Sequence, residues 1–308
     1  LLSSYPESAF NGLGILFIAY AFIALSQMLV NTTGLRCVMP VVLCSCISIN
    51  AILSVLGFYF QLDMFTLGVT TGPQQTTLRG TGASIGANNM ALMSIWIFPL
   101  LVHWVSYGRN TASRLIATGL LLLNVLGIVS TLSRGGFLML VLMSGLILFE
   151  LRHRFHPRYL GLCMAAVGLV ALITVLFVPR SWVERQLTLR EGLDADAAMS
   201  RRAAYLKVGW ESFLEHPLIG TGTNTFKNVW YHSQTSRYYK HELRYAHNTY
   251  MEVLVGSGIF GLIFFLCILG RAFFNYSRAI DTFRRAGIPE YVSFISAYRL
   301  SFIGMCAY

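Results

Sequence analysis

The sequence predicts an all-α integral membrane protein, a polytopic bundle of at least eight spanning helices with one long, partly helical external loop. Three observations carry this expectation. The 308 residues are 55% hydrophobic and only 12% charged, about half the charged share of a soluble domain, and mean hydropathy is +0.60. Apolar runs recur at close to the ~20 residues that cross a bilayer as helix. Arginines fall in alternate loops, as in a multi-pass chain. So few charges cannot cover the apolar residues of a single aqueous core.

The apolar runs cover about 10–30, 36–62, 88–107, 112–131, 135–150, 158–178, 248–269 and 290–308. The chain starts without Met and stops inside an apolar run, which predicts further helices on either side. Arg36, then Arg109 and Arg114, then Arg152, Arg154 and Arg158, then Arg271, Arg278, Arg284 and Arg285 occupy every second loop. The positive-inside rule makes these loops cytoplasmic. The loops around Arg79 and Arg134 then face outward, as does the long segment 179–247. Three divisions follow: spanning helices with short loops over 1–178, including an external loop at 63–87; an external loop subdomain at 179–247; and spanning helices over 248–308 with a basic cytoplasmic loop at 270–289. The six cysteines lie in apolar runs, Cys37 at the head of one, and behave as small hydrophobes. No spacing resembles a zinc site, and no internal repeat suggests a transporter of duplicated halves.

The long loop holds ten Lys/Arg against seven Asp/Glu. Long translocated loops do not obey the charge rule, so the excess points to an anionic ligand or to headgroups. Within it, DADAAMSRRAAYLKVGWESFLEHP predicts an amphipathic helix, with Asp194 or Asp196 as its cap and Pro217 just past its end at His216. Tyr205, Leu206, Val208, Phe213 and Leu214 form its rough apolar face. PLIGTGTNTF follows as a Gly-punctuated turn, and WYHSQTSRYYKHELRYAHN is aromatic and basic, as at a membrane–water interface.

The last six residues of RYAHNTYMEVLVGSGIFG fit the G-x-G-x-x-G spacing of a dinucleotide loop. That spacing binds pyrophosphate only between a strand and a helix. Here it lies inside an apolar helical run, so Gly256, Gly258 and Gly261 are expected to allow close helix–helix approach. His241, Glu242 and His247 look like H-E-x-x-H, but the two histidines are six residues apart. On a helix they would stand about 240° from each other, which excludes a shared metal.

His247 stands where the polar loop meets the helix, with Asn248 beside it. Alone it reads as an interfacial histidine, and Arg134 in TLSRGG as a residue snorkelling to headgroups. Topology, however, places Arg134, Arg201, Arg202 and His247 at one outer membrane surface. Guanidinium forks bind phosphate oxygens, and a neutral imidazole takes a proton from a hydroxyl. Together they suggest transfer from a lipid-linked phosphate or diphosphate to a hydroxyl acceptor.

These segments resemble the bacterial O-antigen ligases and their relatives, the O-antigen polymerases and O-linked oligosaccharyltransferases. His247-Asn248, nine residues, then Gly258-Ile-Phe-Gly261 is similar to the ligase pattern H-[NSQ]-x9-G-x-x-G. TLSRGG at 131–136 resembles T-x-S-R-G-[GA]. RRAAYLKVGWESFLEHPLIGTG resembles R-x-x-x-W…PL-x-G-x-G, and counting back from Pro217 puts the family arginine on Arg202. RGTGASIGANNMA at 79–91 resembles G-x-[FI]-x-N-x-N-x-x-A. The resemblance spans about residues 60–265. It departs at Leu206, where the family has Trp and Trp210 follows four residues later, which leaves Arg201 and Arg202 as alternatives. It departs again at Leu262-Ile263, where a Thr pair can follow the last Gly.

The resemblance implies glycan transfer from undecaprenyl diphosphate to a sugar hydroxyl of lipid A–core, on the periplasmic face of the inner membrane. His247 would be the general base. Arg134 and Arg202, with Arg201 and Arg79 behind them, would hold the donor diphosphate, and Asn248 would orient the acceptor or the loop. No cofactor, metal or nucleic acid is called for. Two other classes compete with this reading: Asp194-Ala195-Asp196 is a D-x-D such as metal-dependent transferases carry, though Asp is a routine helix cap, and Arg299 within the last run is what a transporter or flippase would place in the membrane.

Overall fold

The structure is a computed structural model and describes residues 3–33, 38–70, 76–84, 86–151, 197–239 and 241–308. These residues form helices α1 (Pro6–Thr33), α2 (Met39–Phe60), α3 (Ala87–Tyr107), α4 (Thr111–Ser130), α5 (Arg134–Leu151), α6 (Ala197–Glu215), α7 (Phe226–His232), α8 (Thr249–Arg285) and α9 (Pro289–Ala307), with strands β1 (Thr66–Thr70) and β2 (Thr76–Gly80) between α2 and α3. The protein is thus an all-α polytopic membrane protein, with one small hairpin among the described residues. Five described helices are long and apolar enough to cross a bilayer: α1 over Pro6–Met28, α2, α3, α4 and α8. The runs at 135–150 and 290–308 are also helical, as α5 and α9. The run at 158–178, Arg152, Arg154 and Arg158, Arg36 and the caps Asp194 and Asp196 lie outside the described residues. The expected eight spans therefore stand at five among the described residues.

Two compact units make up the chain, one from residues within 1–35 and 187–272, the other from residues within 36–186 and 273–308.

In the second unit, α3 packs against α2, α4, α5 and α9. In one part of its core Ile95, Phe98, Ile128, Met143 and Leu300 interdigitate, and in another Cys44 and Leu101 pack together. Lipid tails give no hydrophobic drive between helices, so polar side chains help to hold them. Buried Asn124 donates from Nδ2 to Ser48 Oγ at 2.8 Å, and Ser54 and Ser130 share a hydrogen bond of 2.9 Å. Arg299 is tied inside the unit, with Nη2 3.2 Å from each oxygen of Glu150, while Ser296 donates to the same carboxylate at 2.9 Å. An intramembrane charge is retained where it finds such a partner.

Over 270–289, where the sequence predicts a basic loop, α8 continues as helix to Arg285, carrying Arg271, Arg278, Arg284 and Arg285. Its arginines and alanines are good helix formers, Arg284 pairs with Asp281 one turn away at 3.0 Å, and cations at a helix C-terminus complement its dipole. The turn to α9 is only three residues, with Gly287 at φ +69°.

In the first unit, α6 is the expected helix of the long loop, and it ends at Glu215, just before His216 and Pro217. Its packed face differs from the one anticipated. Ala204, Tyr205, Val208 and Ser212 are buried, whereas Leu206 and Leu214 are exposed at 42% and 61%. Positions 204/205, 208 and 212 follow the helical period, and Leu206 and Leu214 lie off that stripe. Facing this stripe are Phe226 and Trp230 of α7, both fully buried, with Ala246 and Val255.

Candidate active site

Tyr205 is the pivot of the first unit's site. Its ring packs edge-on against Trp230, with centroids 4.5 Å apart, and against Phe226 at 6.3 Å. The imidazole of His247 lies 6.0 Å from the same ring, tilted by 39°. Arg201 and Arg202 lie four and three residues before Tyr205 on α6, so both flank it on the same helical face. Arg201 is half-buried and Arg202 exposed.

His247 is the last residue but one before α8 and adopts φ +51°, a left-handed conformation uncommon outside glycine. The residues on both sides are pinned. Asn248 caps α8 by accepting from the Met251 amide at 3.1 Å. Ala246 is 2% exposed, and its amide donates to Glu252 Oε1 at 2.6 Å. Partial burial first, then the charges of Arg202, Arg244 and Arg201, hold the imidazole below the ordinary histidine pKa of 6.5. The residue still keeps solvent access. This arrangement offers a neutral, accessible imidazole among guanidinium groups at pH 7.

The metal-like trio is divided among other partners. His241 stacks on Tyr231 with centroids 4.2 Å apart and shares a hydrogen bond with Ser236 Oγ at 3.1 Å. Glu242 binds the Arg244 guanidinium.

The G-S-G-I-F-G segment is where the helix breaks. Gly258 has φ +63° and ψ −163°, so α8 is two helices across a kink. The backbone groups released there pair with the PLIGTG turn. Val255 and Gly256 carbonyls accept from the amides of Thr221 and Gly222, each at 2.8 Å, and the Ile259 amide donates to Pro217 O at 2.8 Å. A Cβ on Gly220 would stand 2.4 Å from Val255 O. Gly256 and Gly258 do serve close approach, but their neighbours are Gly222 and Leu218 of this backbone strap rather than a second helix. Non-helical backbone is tolerated in such a segment when protein groups satisfy it.

Arg79 and Arg134 belong to the second unit, where 79–91 and 131–136 come together. The hairpin pairs Leu67 with Arg79. Arg79 is 9% exposed; its Nε donates to Thr131 O at 2.7 Å and its Nη2 to Asn88 Oδ1 at 3.0 Å. Ser133 donates to the same Asn88 oxygen at 3.0 Å and caps α5 by accepting from Gly136 N at 3.1 Å. Leu132 turns the chain with φ +50°, and half-buried Arg134 opens α5.

Of the residues singled out in the sequence, the first unit therefore assembles His247, Asn248, Arg201 and Arg202, and the second assembles the turns bearing Arg79 and Arg134. Sequence reasoning missed Arg244 and Glu252. Arg244 was detectable as the nearest arginine before His247. Glu252 was not, because an acid in the first turn of a helix is ordinary.

A polytopic α-helical membrane protein with a histidine and arginines at the head of a broken helix is the class that this fold and site define. Residues 119–266 match the family model described as O-antigen ligase, and over that stretch the chain is similar to the O-antigen ligase family. The matched stretch takes in TLSRGG, α6, the strap and H-N-x9-G-x-x-G; the segment 79–91 precedes it. No curated protein matches the chain. That similarity supports a glycosyltransferase-type enzyme of the O-antigen pathway, in a chain whose helices are those of a multi-pass membrane protein.

Proposed function

We propose that the enzyme moves a glycan from undecaprenyl diphosphate to a sugar hydroxyl of lipid A–core, at the periplasmic face of the bacterial inner membrane. His247 takes the proton of the acceptor hydroxyl. The oxygen attacks the anomeric carbon from the face opposite the diphosphate, the carbon–oxygen bond to the diphosphate breaks, and undecaprenyl diphosphate leaves with the electron pair. The anomeric centre inverts. Arg202 and Arg201 stabilise the charge gathering on the leaving diphosphate, and Arg244 adds to the same field. Arg134 and Arg79 are assigned to the donor diphosphate on the resemblance of their segments. Arg79, which already spends donors on Thr131 and Asn88, is the weaker of the two. Asn248 orients the loop that carries the base. A diphosphate is a good leaving group that needs charge stabilisation more than protonation, and guanidinium groups supply it without a metal ion.

The observation that carries this reading is the solvent-accessible imidazole of His247, just before α8 and 6.0 Å from the Tyr205 ring, with Arg202, Arg244 and Arg201 placed to disfavour its protonation. Its test is a transfer assay with purified protein, an undecaprenyl-diphosphate-linked glycan and three acceptors: lipid A–core, a second lipid-linked glycan, and a protein with free serine hydroxyls. Glycan on lipid A–core alone supports the ligase. Extension of the second glycan reassigns the chain to the polymerases, and glycosylated protein to the oligosaccharyltransferases. No transfer to any acceptor, with movement of the lipid across a vesicle membrane instead, replaces the enzyme by a flippase.

A further inference from the structure

Glu252 is the acid of the first turn of α8, and its carboxylate does not point along the helix toward solvent. It turns back past the helix start to take the amide of Ala246, 2.6 Å from Oε1. Ala246 belongs to the core formed by Tyr205, Val208 and Trp230. Asn248, the cap, accepts from Met251 N. The one residue between these two anchors is His247, and it has the left-handed φ of +51°. An acid serving only the helix dipole needs no such bond.

From this geometry we infer that Glu252 is a positioning residue for transfer: it fixes the turn 246–248 so that the His247 imidazole stands against Tyr205 and beside Arg202. This rests on the assignment of His247 as general base. Without the carboxylate a buried amide loses its acceptor. The turn relieves that by leaving its left-handed conformation, and the imidazole leaves its place. Lys227, whose charge also acts on Glu252, comes from α7 and does not replace the oxygen that Ala246 needs.

The test uses the full chain in nanodiscs with the lipid-linked donor and lipid A–core. Glu252→Ala should lower kcat by about 10²-fold, as expected for misplacement of a reacting group by about an ångström, with the donor KM unchanged. Glu252→Gln keeps an oxygen at the same reach and should recover most of the rate. In a His247→Ala background, Glu252→Ala should cost nothing further, because both changes remove one function. Wild-type kcat in Glu252→Ala, equal losses in both backgrounds, or a Gln variant as slow as Ala would each overturn the inference. If Glu252→Ala yields no folded protein, Glu252→Asp decides. It keeps the charge and the dipole but falls a methylene short, so it is slow if Glu252 positions the turn and fully active if it does not. Normal transfer by His247→Ala overturns the base assignment and this inference together, whereas an inactive His247→Ala beside a normal Glu252→Ala overturns only the inference.

Discussion

Gly258 and Leu218 meet backbone to backbone: a Cβ on Gly258 would lie 2.3 Å from the Leu218 carbonyl oxygen and 2.4 Å from its carbon. Neither atom can move aside without breaking the strap, since Leu218 O also accepts from the Phe260 amide at 3.4 Å and Pro217 O from Ile259 at 2.8 Å. The strap thus holds the broken helix that begins with Asn248 and Glu252.

Gly258→Ala is therefore expected to be among the most destabilising single changes in this unit. A left-handed φ costs an alanine roughly 1–2 kcal/mol, and overpacking against backbone adds about 1–3 kcal/mol. Thermal unfolding of the purified protein in detergent should show a clear drop in Tm. An unchanged Tm would mean the kink at Gly258 is not how α8 is built.

Much of this was legible in the sequence, and the parts that were not have physical reasons. The helices declared themselves by length and apolarity, and α6 by Pro217 and its periodicity. The pairing of His247 with Arg201 and Arg202 followed from topology plus motif order. The arginine-rich stretch 271–285 looked like a loop because charge density was read as solvent contact, while a helix can carry the same charges out of the bilayer. The role of Gly258 was half right: close approach is visible from a glycine, but its partner, the 217–222 backbone, is a long-range pairing that no local pattern reveals. Glu252 was hidden for the same reason, since its bond to Ala246 runs backward across the cap.

Arg202→Lys and Arg134→Lys should both transfer poorly although each keeps its charge. Lysine is a point cation and lacks the planar fork that grips two phosphate oxygens. The loss should appear in kcat/KM for the donor and reach at least about tenfold, the factor that 1.4 kcal/mol represents. Initial rates against donor concentration measure it. Wild-type kinetics in Arg134→Lys would remove Arg134 from the diphosphate site, and Arg201→Lys, measured separately, should be milder than Arg202→Lys.

Transfer should persist in excess EDTA, because the proposed stabilisation of the diphosphate comes from arginines. Activity that disappears and returns with Mg²⁺ or Mn²⁺ would bring Asp194 and Asp196 into the mechanism in their place.

His247→Ala should lose about 10²–10⁴-fold in kcat, the usual contribution of a general base. Binding of the lipid-linked donor should persist, since the arginines carry it. The fold should persist too, because the imidazole is solvent-accessible and only its neighbour Ala246 is buried. Donor binding and transfer measured on one preparation separate the two roles. Loss of both together would make His247 a binding residue.

The pH dependence follows from the direction of the His247 shift. A general base works only when neutral, so kcat/KM falls as pH drops through the pKa of the free enzyme's imidazole. Burial and then the charges of Arg202, Arg244 and Arg201 hold that pKa below 6.5, which puts the acid limb of the profile below pH 6.5. Arg202→Gln removes the largest of the three charge effects. The protonated imidazole is then less disfavoured, its pKa rises, and the acid limb moves to higher pH. Added salt should move it the same way, since ions screen exposed charges within about 10 Å at 0.1 M. The position of the limb is the readout, because Arg202→Gln lowers the height of the whole profile by weakening donor binding. A limb that stays in place in Arg202→Gln, or moves to lower pH, would show that the titrating group is not an imidazole under these arginines.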